Sequence, residues 1–241
     1  RISTGTLLVE NYDDIKKIMK STKKMISFHS EDQGELDKRK KYIKRGDPKS
    51  HPIWRNESVC LKCTKQLVKL ANATKKNIHI LHITTAEEIE LLNKNKKFIS
   101  YEVTPQHLVL SSPSCYNKLG TLAQMNPAIR SSRHQNRLRK ALKNNEIDII
   151  GSDHAPHTLS EKKQKYPDSP SGMPGVQTLM PLLLNEVSKK TISITNVVEL
   201  TSFNPIKRFK VKDKGLIKEG YDADFTFVDL SMTKKISNKL I

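Results

Sequence analysis

Short apolar segments rich in β-branched residues alternate with longer amphipathic segments along most of this chain, and this alternation is the feature that most restricts its fold. The apolar runs predict strands, and the amphipathic segments between them predict helices. Strands that alternate with helices are typical of parallel βαβ units, which build α/β sheets or barrels. About four such units can be counted, half of the eight in a closed barrel. The sequence therefore predicts an α/β fold, either a parallel sheet or part of a (β/α)8 barrel.

The predicted elements can be placed along the chain from their periodicity and flanking residues. Strands are expected at 25–29, 77–84, 98–103, 147–152 and 224–229. Helices are expected at 57–72, 85–92, 133–143, 176–187 and 195–202. Thr85, with Glu88 three residues later, predicts a capping box at the start of the second of these helices.

The charge of the chain raises nucleic-acid binding as a function. The 241 residues include 43 Lys and Arg against 25 Asp and Glu, a formal net charge of +18. The lysines, however, are scattered along amphipathic helical segments, where a solvated helix face explains them. Aromatic residues make up only 5% of the chain, which is too few for an evident base-stacking platform. We therefore do not expect nucleic acid as the main partner.

Membrane and secreted classes are also disfavoured. No apolar run is long enough to span a bilayer, so we expect no membrane association. The three cysteines cannot form a fully paired disulfide framework and fit a reducing compartment. These features predict a cytoplasmic protein.

Three polar residues follow three of the predicted strands, where the strands end. They are His29, His82 and Asp153. The carboxyl ends of parallel barrel strands meet on one face, and active sites are built there. Two imidazoles and a carboxylate are ligands suited to zinc or a similar divalent metal. His79 precedes His82 by three residues, so in a strand it would face the opposite side.

The segment 151–157, Gly-Ser-Asp-His-Ala-Pro-His, with Lys162 five residues later, is the strongest local signal. A carboxylate at Asp153 can contact a metal or its bound water and transfer a proton. The imidazole of His157, returned to the same face by the loop, can bind an anionic substrate. Lys162 is expected to steady this loop.

This segment resembles the signature of the dihydroorotases, within the amidohydrolase superfamily. Other segments resemble the same family and follow its order: His-Ser-Glu-Asp at 29–32, His-Ile-Leu-His-Ile-Thr-Thr at 79–85, Glu-Val-Thr-Pro at 102–105, Asn-Pro-Ala-Ile-Arg at 126–130 and Ser-Gly-Met-Pro-Gly-Val-Gln-Thr at 171–178. The resemblance extends over essentially the whole chain.

The resemblance implies a metal centre on the barrel. His29 and His82 would be metal ligands on the fifth and sixth strands. Asp153, on the eighth, would be both a metal ligand and the general base and acid of ring opening and closing. One or two zinc ions are implied as the cofactor, with a metal-bound hydroxide attacking the ring amide.

The resemblance also implies a substrate-binding set. Asn126 and His157 would hold the carboxylate and ring of the substrate. Backbone groups around Gly172, Pro174 and Gly175 would assist them.

The chain also departs from the family pattern. The first-strand His-x-His pair and the fourth-strand Lys that bridges two metals in related proteins have no counterpart here. We therefore expect that these residues alone do not complete the metal site and are inactive by themselves. Gln106 replaces a histidine of the family, while His107 is retained. Residues 1–210 would form the C-terminal half of the barrel, and residues 211–241 would begin the return to a small flanking β-domain.

The function implied is that of a dihydroorotase, a metal-dependent enzyme of pyrimidine biosynthesis that reversibly cyclises N-carbamoyl-L-aspartate to L-dihydroorotate. An allantoinase or hydantoinase acting on a related cyclic amide is one alternative. A non-catalytic scaffold protein with the same fold is another. The expected partner is a small-molecule substrate, and a homo-oligomer is left open.

Other conspicuous residues are assigned structural roles. Cys60 and Cys63 lie at i, i+3 in a predicted helix without a second cysteine or histidine pair nearby, so we interpret them as helix-face residues. His51 and His134 lie in polar surroundings and are expected to be solvated.

Overall fold

The computed structural model describes residues 9–233, 235 and 237. Its strands form one parallel sheet in the order in which they occur along the chain. They are β1 (Ile26–Phe28), β2 (Ile78–Ile80), β3 (Ile99–Val103) and β4 (Ile149–Ile150). Ile26 pairs with Ile78, and Ile78 with Ile99, so the first three strands begin in register.

Helices connect the strands and follow the last of them. The helices are α1 (Tyr12–Ser21), α2 (Gln33–Arg39), α3 (His51–Trp54), α4 (Glu57–Thr74), α5 (Ala86–Asn93), α6 (Pro105–Val109), α7 (Ser114–Leu119), α8 (Ser132–Lys143), α9 (Leu159–Lys162), α10 (Val176–Ser188), α11 (Ile194–Val198) and α12 (Asn204–Phe209). Short 3-10 turns lie at 40–42, 48–50 and 120–123, and a π-helical turn joins α11 to α12. Within the residues described, none of the helices has the length and apolar character that a bilayer crossing requires.

The two faces of the sheet have different chemistry. Ile78, Ile80 and Tyr101 are fully buried on the face where the main apolar core lies, and α4, α5 and α8 pack in sequence there. Alternate positions face the other way, because successive strand residues point to opposite sides. On that face His79 Nδ1 lies 2.7 Å from Ser100 Oγ, and its Nε2 lies 3.2 Å from Glu102 Oε2. The face of the sheet that carries His79, opposite the main apolar core, is therefore polar, and its side chains are hydrogen-bonded to one another.

Helix α4 and the following βα turn confirm the sequence predictions. Its buried face includes Cys60 and Cys63, which are free thiols in helix-face positions, as expected. Thr85 and Glu88 form the predicted capping box at the start of α5. The side chain of Glu88 is fully buried, so the hydrogen bonds of the capping box replace those that it would make with water.

The strands are shorter than predicted at two sites. The predicted strand 77–84 reduces to β2, and 147–152 reduces to β4. The chain leaves these strands through residues with positive φ, His82 at 37° and Asp153 at 43°. A strand cannot continue through this conformation. The apolar runs predict extended backbone there, whereas the structure turns at the candidate site residues.

The strand predicted at 224–229 is wrong. In the described residues after α12, the structure has no regular strand or helix. Phe225 is 56% exposed and Phe227 95% exposed, so their side chains do not pack into a core. A strand needs a neighbour to complete its hydrogen bonds, and the described residues provide none there. Part of the predicted flanking segment, at 234, 236 and 238–241, lies outside the described residues.

Candidate active site

The carboxyl edge of the sheet brings two of the predicted metal ligands into contact. His29 follows β1 directly, and His82 lies two residues beyond β2. His29 Nδ1 and His82 Nε2 are 3.0 Å apart, with the ring planes inclined at 75°. Burial lowers the pKa of His82 well below its usual value, and the nearby charge of His29 acts in the same direction. His82 is therefore a neutral imidazole, the form that binds metals.

A buried carboxylate orients the first of these imidazoles. His29 Nε2 lies 2.9 Å from Glu31 Oε2 and donates its proton, because an ionised carboxylate can only accept. The lone pair of Nδ1 then faces His82. Burial alone would raise the pKa of Glu31, but Arg55 and His29 hold it well below its usual range. Glu31 is therefore ionised, and its side chain is fully enclosed.

A metal ion is compatible with this pair of histidines. Two nitrogens bound tetrahedrally to one zinc ion at about 2.0–2.1 Å lie roughly 3.3 Å apart, close to the separation observed here. His82 Nδ1 is buried and has no hydrogen-bond partner in the part of the chain described. A carboxylate that orients a metal-binding histidine, as Glu31 does, is a regular feature of zinc sites. The two imidazoles therefore fit the role of metal ligands.

Asp153 lies near these histidines but is not in contact with them. Burial raises the pKa of Asp153, the charge of His29 lowers it, and Glu102 raises it further. No group of three or more His, Cys, Asp or Glu is arranged to hold a metal ion among the residues described. The structure thus joins His29 to His82 and leaves Asp153 as a separate carboxyl group on the same side.

The predicted substrate-binding residues other than Asn126 lie in one pair of adjacent loops. His154 Nδ1 accepts hydrogen bonds from the backbone N–H groups of Gly175 and Val176, at 3.1 and 3.3 Å. The amide of Ala155 donates to the carbonyl of Met173 at 3.1 Å. The segment 153–157 is therefore held against 172–176 by several bonds. His154, which the sequence did not distinguish, has a positioning role at this junction.

Glycine is required at two positions of the junction. Gly172 has a φ of 147°, and a Cβ there would meet the carbonyl oxygen of Ala155. A Cβ at Gly175 would overlap the carbonyl oxygen of Ser152. Both loops approach backbone to backbone, and this leaves no space for a side chain. The exposed Pro174 lies between these two glycines.

Lys162 holds the outer side of the same loops. Its ammonium donates to the carbonyl oxygens of Gln124 and Pro170, both at 2.9 Å, and of Gly172 at 3.1 Å. Burial lowers the pKa of Lys162 to about 8. The expectation that Lys162 steadies the loop agrees with these bonds.

Asn126 and His157 are the two predicted substrate-binding side chains. The side-chain oxygen of Asn126 is buried and has no hydrogen-bond partner in the described chain. His157 Nε2 lies 3.3 Å from the carbonyl oxygen of Ser171, next to Gly172. An unpaired buried amide oxygen is costly, and a ligand donor would satisfy it.

Two histidines are misplaced by the sequence prediction. His51 and His134 are 1% and 2% exposed, rather than solvated. His51 Nε2 donates to the carbonyl of Met125 at 2.9 Å, and His134 Nδ1 accepts from the amide of Ala86 at 3.1 Å. Polar neighbours in the sequence do not predict exposure for a side chain that is buried because it hydrogen-bonds a distant segment.

Glu31 and Arg55 are the site residues that the sequence reasoning missed. Glu31 is within the quoted 29–32 segment, two residues from His29, and this spacing was the available signal. No sequence signal indicated Arg55, because it lies 24 residues further along the chain from Glu31.

Comparison with known proteins extends these observations. The model of the amidohydrolase family matches residues 8–240. A dihydroorotase from Methanosphaera stadtmanae is 35% identical, with 93% of this chain and 53% of that protein covered. A dihydroorotase from Pyrococcus furiosus is 34% identical, with 95% and 49% covered. The chain spans about half the length of the curated relatives that it matches.

Solved structures agree on the fold. The L-hydantoinase (dihydropyrimidinase) from Arthrobacter aurescens superposes with a TM-score of 0.84 at 22% identity, over 91% of this chain and 52% of that one. The dihydropyrimidinase from Brevibacillus agri gives a TM-score of 0.78 at 24% identity, over 88% and 49%. The predicted partial (β/α)8 barrel and the resemblance to dihydroorotases are confirmed. With a family match over nearly its whole length, the chain belongs to the amidohydrolase family.

Proposed function

We propose that the full-length protein is a dihydroorotase, a cyclic amide hydrolase that interconverts L-dihydroorotate and N-carbamoyl-L-aspartate. The observation that carries this proposal is the contact between His29 and His82 at the carboxyl edge of the sheet. It is supported by identities of 31–35% to several dihydroorotases. Residues 1–210 would belong to the barrel and 211–241 to a flanking β-domain. Such an enzyme would act in the cytoplasm on a small-molecule substrate. Both a monomer and a homo-oligomer are compatible with this proposal.

His29 and His82 would hold the metal, which we propose to be zinc. A divalent ion bound there would polarise the substrate carbonyl and lower the pKa of a water molecule. Glu31 keeps the proton of His29 on Nε2, so that Nδ1 remains a ligand atom. Asp153 would be a further ligand, and the remaining ligands would come from outside these residues, as the family resemblance implies.

Asp153 would move the proton. Ring opening needs a base that accepts a proton from the attacking water and then delivers it to the leaving ring nitrogen. Burial and the charge of Glu102 raise the pKa of Asp153 and therefore make its protonated form more accessible. A carboxyl group with a raised pKa can perform both steps near neutral pH.

The loop junction would bind the substrate. His157 and the buried side-chain oxygen of Asn126 are suited to an anionic, amide-containing ring. Backbone groups near Gly172, Pro174 and Gly175 would complete the contacts. Lys162 and His154 keep both loops in place before the substrate arrives.

Turnover by the full-length, zinc-loaded protein tests this proposal. Dihydroorotate, allantoin and hydantoin are supplied separately, and the products are separated by chromatography with and without a chelator. We expect turnover of dihydroorotate that a chelator abolishes and zinc restores. Turnover of allantoin or hydantoin alone would assign another cyclic amidohydrolase activity. Absence of turnover with every substrate would favour the non-catalytic scaffold.

A further inference from the structure

A cavity lies at the edge of the sheet opposite the candidate active site. It encloses about 660 Å³ beside residues that precede or begin the strands, such as Asn77, Ile99 and Asp148. The C-terminal helix α12 closes one side through Asn204, whose amide donates to the carbonyl of Asp148 at 2.9 Å. This volume is within the range of about 300–1,000 Å³ that small-molecule sites occupy.

The lining of this cavity, which we call the basic cleft, is strongly cationic. Seven of its fourteen residues are Lys or Arg, and Asp148 is the one acidic residue in the described lining. Asp148 pairs with Lys96 at 2.9 Å and accepts a backbone bond from Tyr101. Six cations therefore remain without a carboxylate partner in the part of the chain described.

Two of these cations are held by backbone groups. Lys76, which is 9% exposed, donates to the carbonyl of Thr22, and Arg208 donates to the carbonyl of Ile78 at 2.8 Å. Arg208 Nε is buried and has no acceptor among the described residues. A buried donor without an acceptor is costly, and an anion in the cleft would supply one. The cationic groups thus include fixed positions as well as flexible surface lysines.

The chemistry of the cleft selects among anions. A concave surface with one sign of charge concentrates multiply charged counterions. None of the lining residues is aromatic, so a nucleobase would find no side chain to stack on. Compact anions with several adjacent charges fit this lining better than single-stranded nucleic acid or a nucleoside.

We propose that the basic cleft binds a small polyphosphate through its phosphate groups. The charged oxygens would accept hydrogen bonds from Arg208 and the lysines of the cleft, such as Lys23 and Lys207. Inorganic triphosphate and nucleoside triphosphates share this chemistry. The affinity of the cleft should increase with the number of phosphate groups in the ligand and should not depend on a nucleobase.

Isothermal titration of the full-length protein with inorganic phosphate, triphosphate and adenosine triphosphate tests this proposal. We expect triphosphate and adenosine triphosphate to bind with similar affinity, and monophosphate at least tenfold more weakly. The variant K23Q/K207Q removes two exposed cleft lysines that make no ion pair among the described residues. Its affinity for triphosphate should fall at least tenfold.

The variant K140Q/K143Q is the matched control. It removes the same charge from exposed positions on α8 that do not line the cleft, and it should change affinity by less than twofold. Equal losses in both variants would show general attraction to a basic protein and overturn the proposal. Undetectable triphosphate binding, or tighter binding of an oligonucleotide that K23Q/K207Q does not weaken, would also overturn it.

Discussion

At the scale of single residues, Glu31 connects the core to the candidate metal site. It accepts from His29 on one side and pairs with Arg55 on the other, with its side chain fully buried. Because this carboxylate selects the tautomer of His29, it would influence a metal bound by His29 without contacting that metal. Loss of such an orienting carboxylate lowers metal affinity by about 10- to 100-fold in other proteins.

We therefore expect Glu31→Gln in the full-length protein to weaken zinc binding by about 10- to 100-fold. Competition against a chromogenic chelator measures this affinity. Glu90→Gln is the control, because Glu90 pairs with Arg137 on an exposed surface of α5. Unchanged zinc affinity in the folded Glu31→Gln protein would remove Glu31 from the site.

Asp153 carries the proton transfer in the proposed reaction. Asp153→Asn keeps the size and the positive φ, which asparagine tolerates, but it removes the acid and base. We expect turnover of dihydroorotate to fall by at least about 100-fold. Circular dichroism and thermal unfolding should remain close to wild type. Near-normal turnover would refute the assigned role.

The burial of His51 makes the stability of the fold depend on pH. Burial lowers the pKa of His51 to about 3, and the same cause lowers the pKa of His107 to about 4. Both ordinary values are 6.5, so between pH 6.5 and about 4 the unfolded chain binds protons that the folded chain does not. Stability therefore rises with pH in this window, by up to about 1.4 kcal/mol per pH unit for each group.

We expect the free energy of unfolding to fall as the pH is lowered from 6.5 toward 4. Urea titrations at several pH values measure this slope. In His51→Gln the slope should decrease by the contribution of one proton, whatever the effect on stability at neutral pH. An unchanged slope would mean that His51 takes up its proton while folded.

At the scale of elements, the sequence predicts the regular segments better than the turns. The strand–helix alternation, the long helix α4 and the capping box of α5 follow from local patterns, and the structure confirms them. The turns at His82 and Asp153 do not follow from local patterns. The apolar runs extend into these turns, whereas tertiary contacts determine the backbone conformation there. The candidate site lies at these turns, so its residues are predictable by type but not by geometry.

The loop junction offers a test at this scale. In Gly175→Ala the new methyl group would meet the carbonyl oxygen of Ser152, and the two loops would have to separate. We expect a loss of stability of about 1–3 kcal/mol, measured by urea unfolding, together with weaker substrate binding. Gly34→Ala is the control, because its nearest neighbour would be at 3.6 Å and alanine favours the helix α2. Equal stability of both variants would show that the junction is not tightly packed.

At the scale of the whole molecule, the chain contributes one edge of a barrel and a candidate site with two contacting imidazoles. No local pattern predicts the contacts between residues that are distant in sequence. Examples are the contact of Arg55 with Glu31 and that of Lys162 with Gln124. The segment 151–157 and the resemblance that it carries predict the candidate site residues, but they give no role to Glu31, Arg55 or His154. Distances between them had to come from the packing of the elements.

In the proposed function, His29 and His82 bind a catalytic metal at the carboxyl edge of this sheet. Anomalous diffraction at the zinc edge, from crystals of the active full-length protein, tests it most directly. The expected result is an anomalous peak within coordination distance of both His29 Nδ1 and His82 Nε2. A peak elsewhere, or no peak in crystals of protein that turns over dihydroorotate, would contradict the claim.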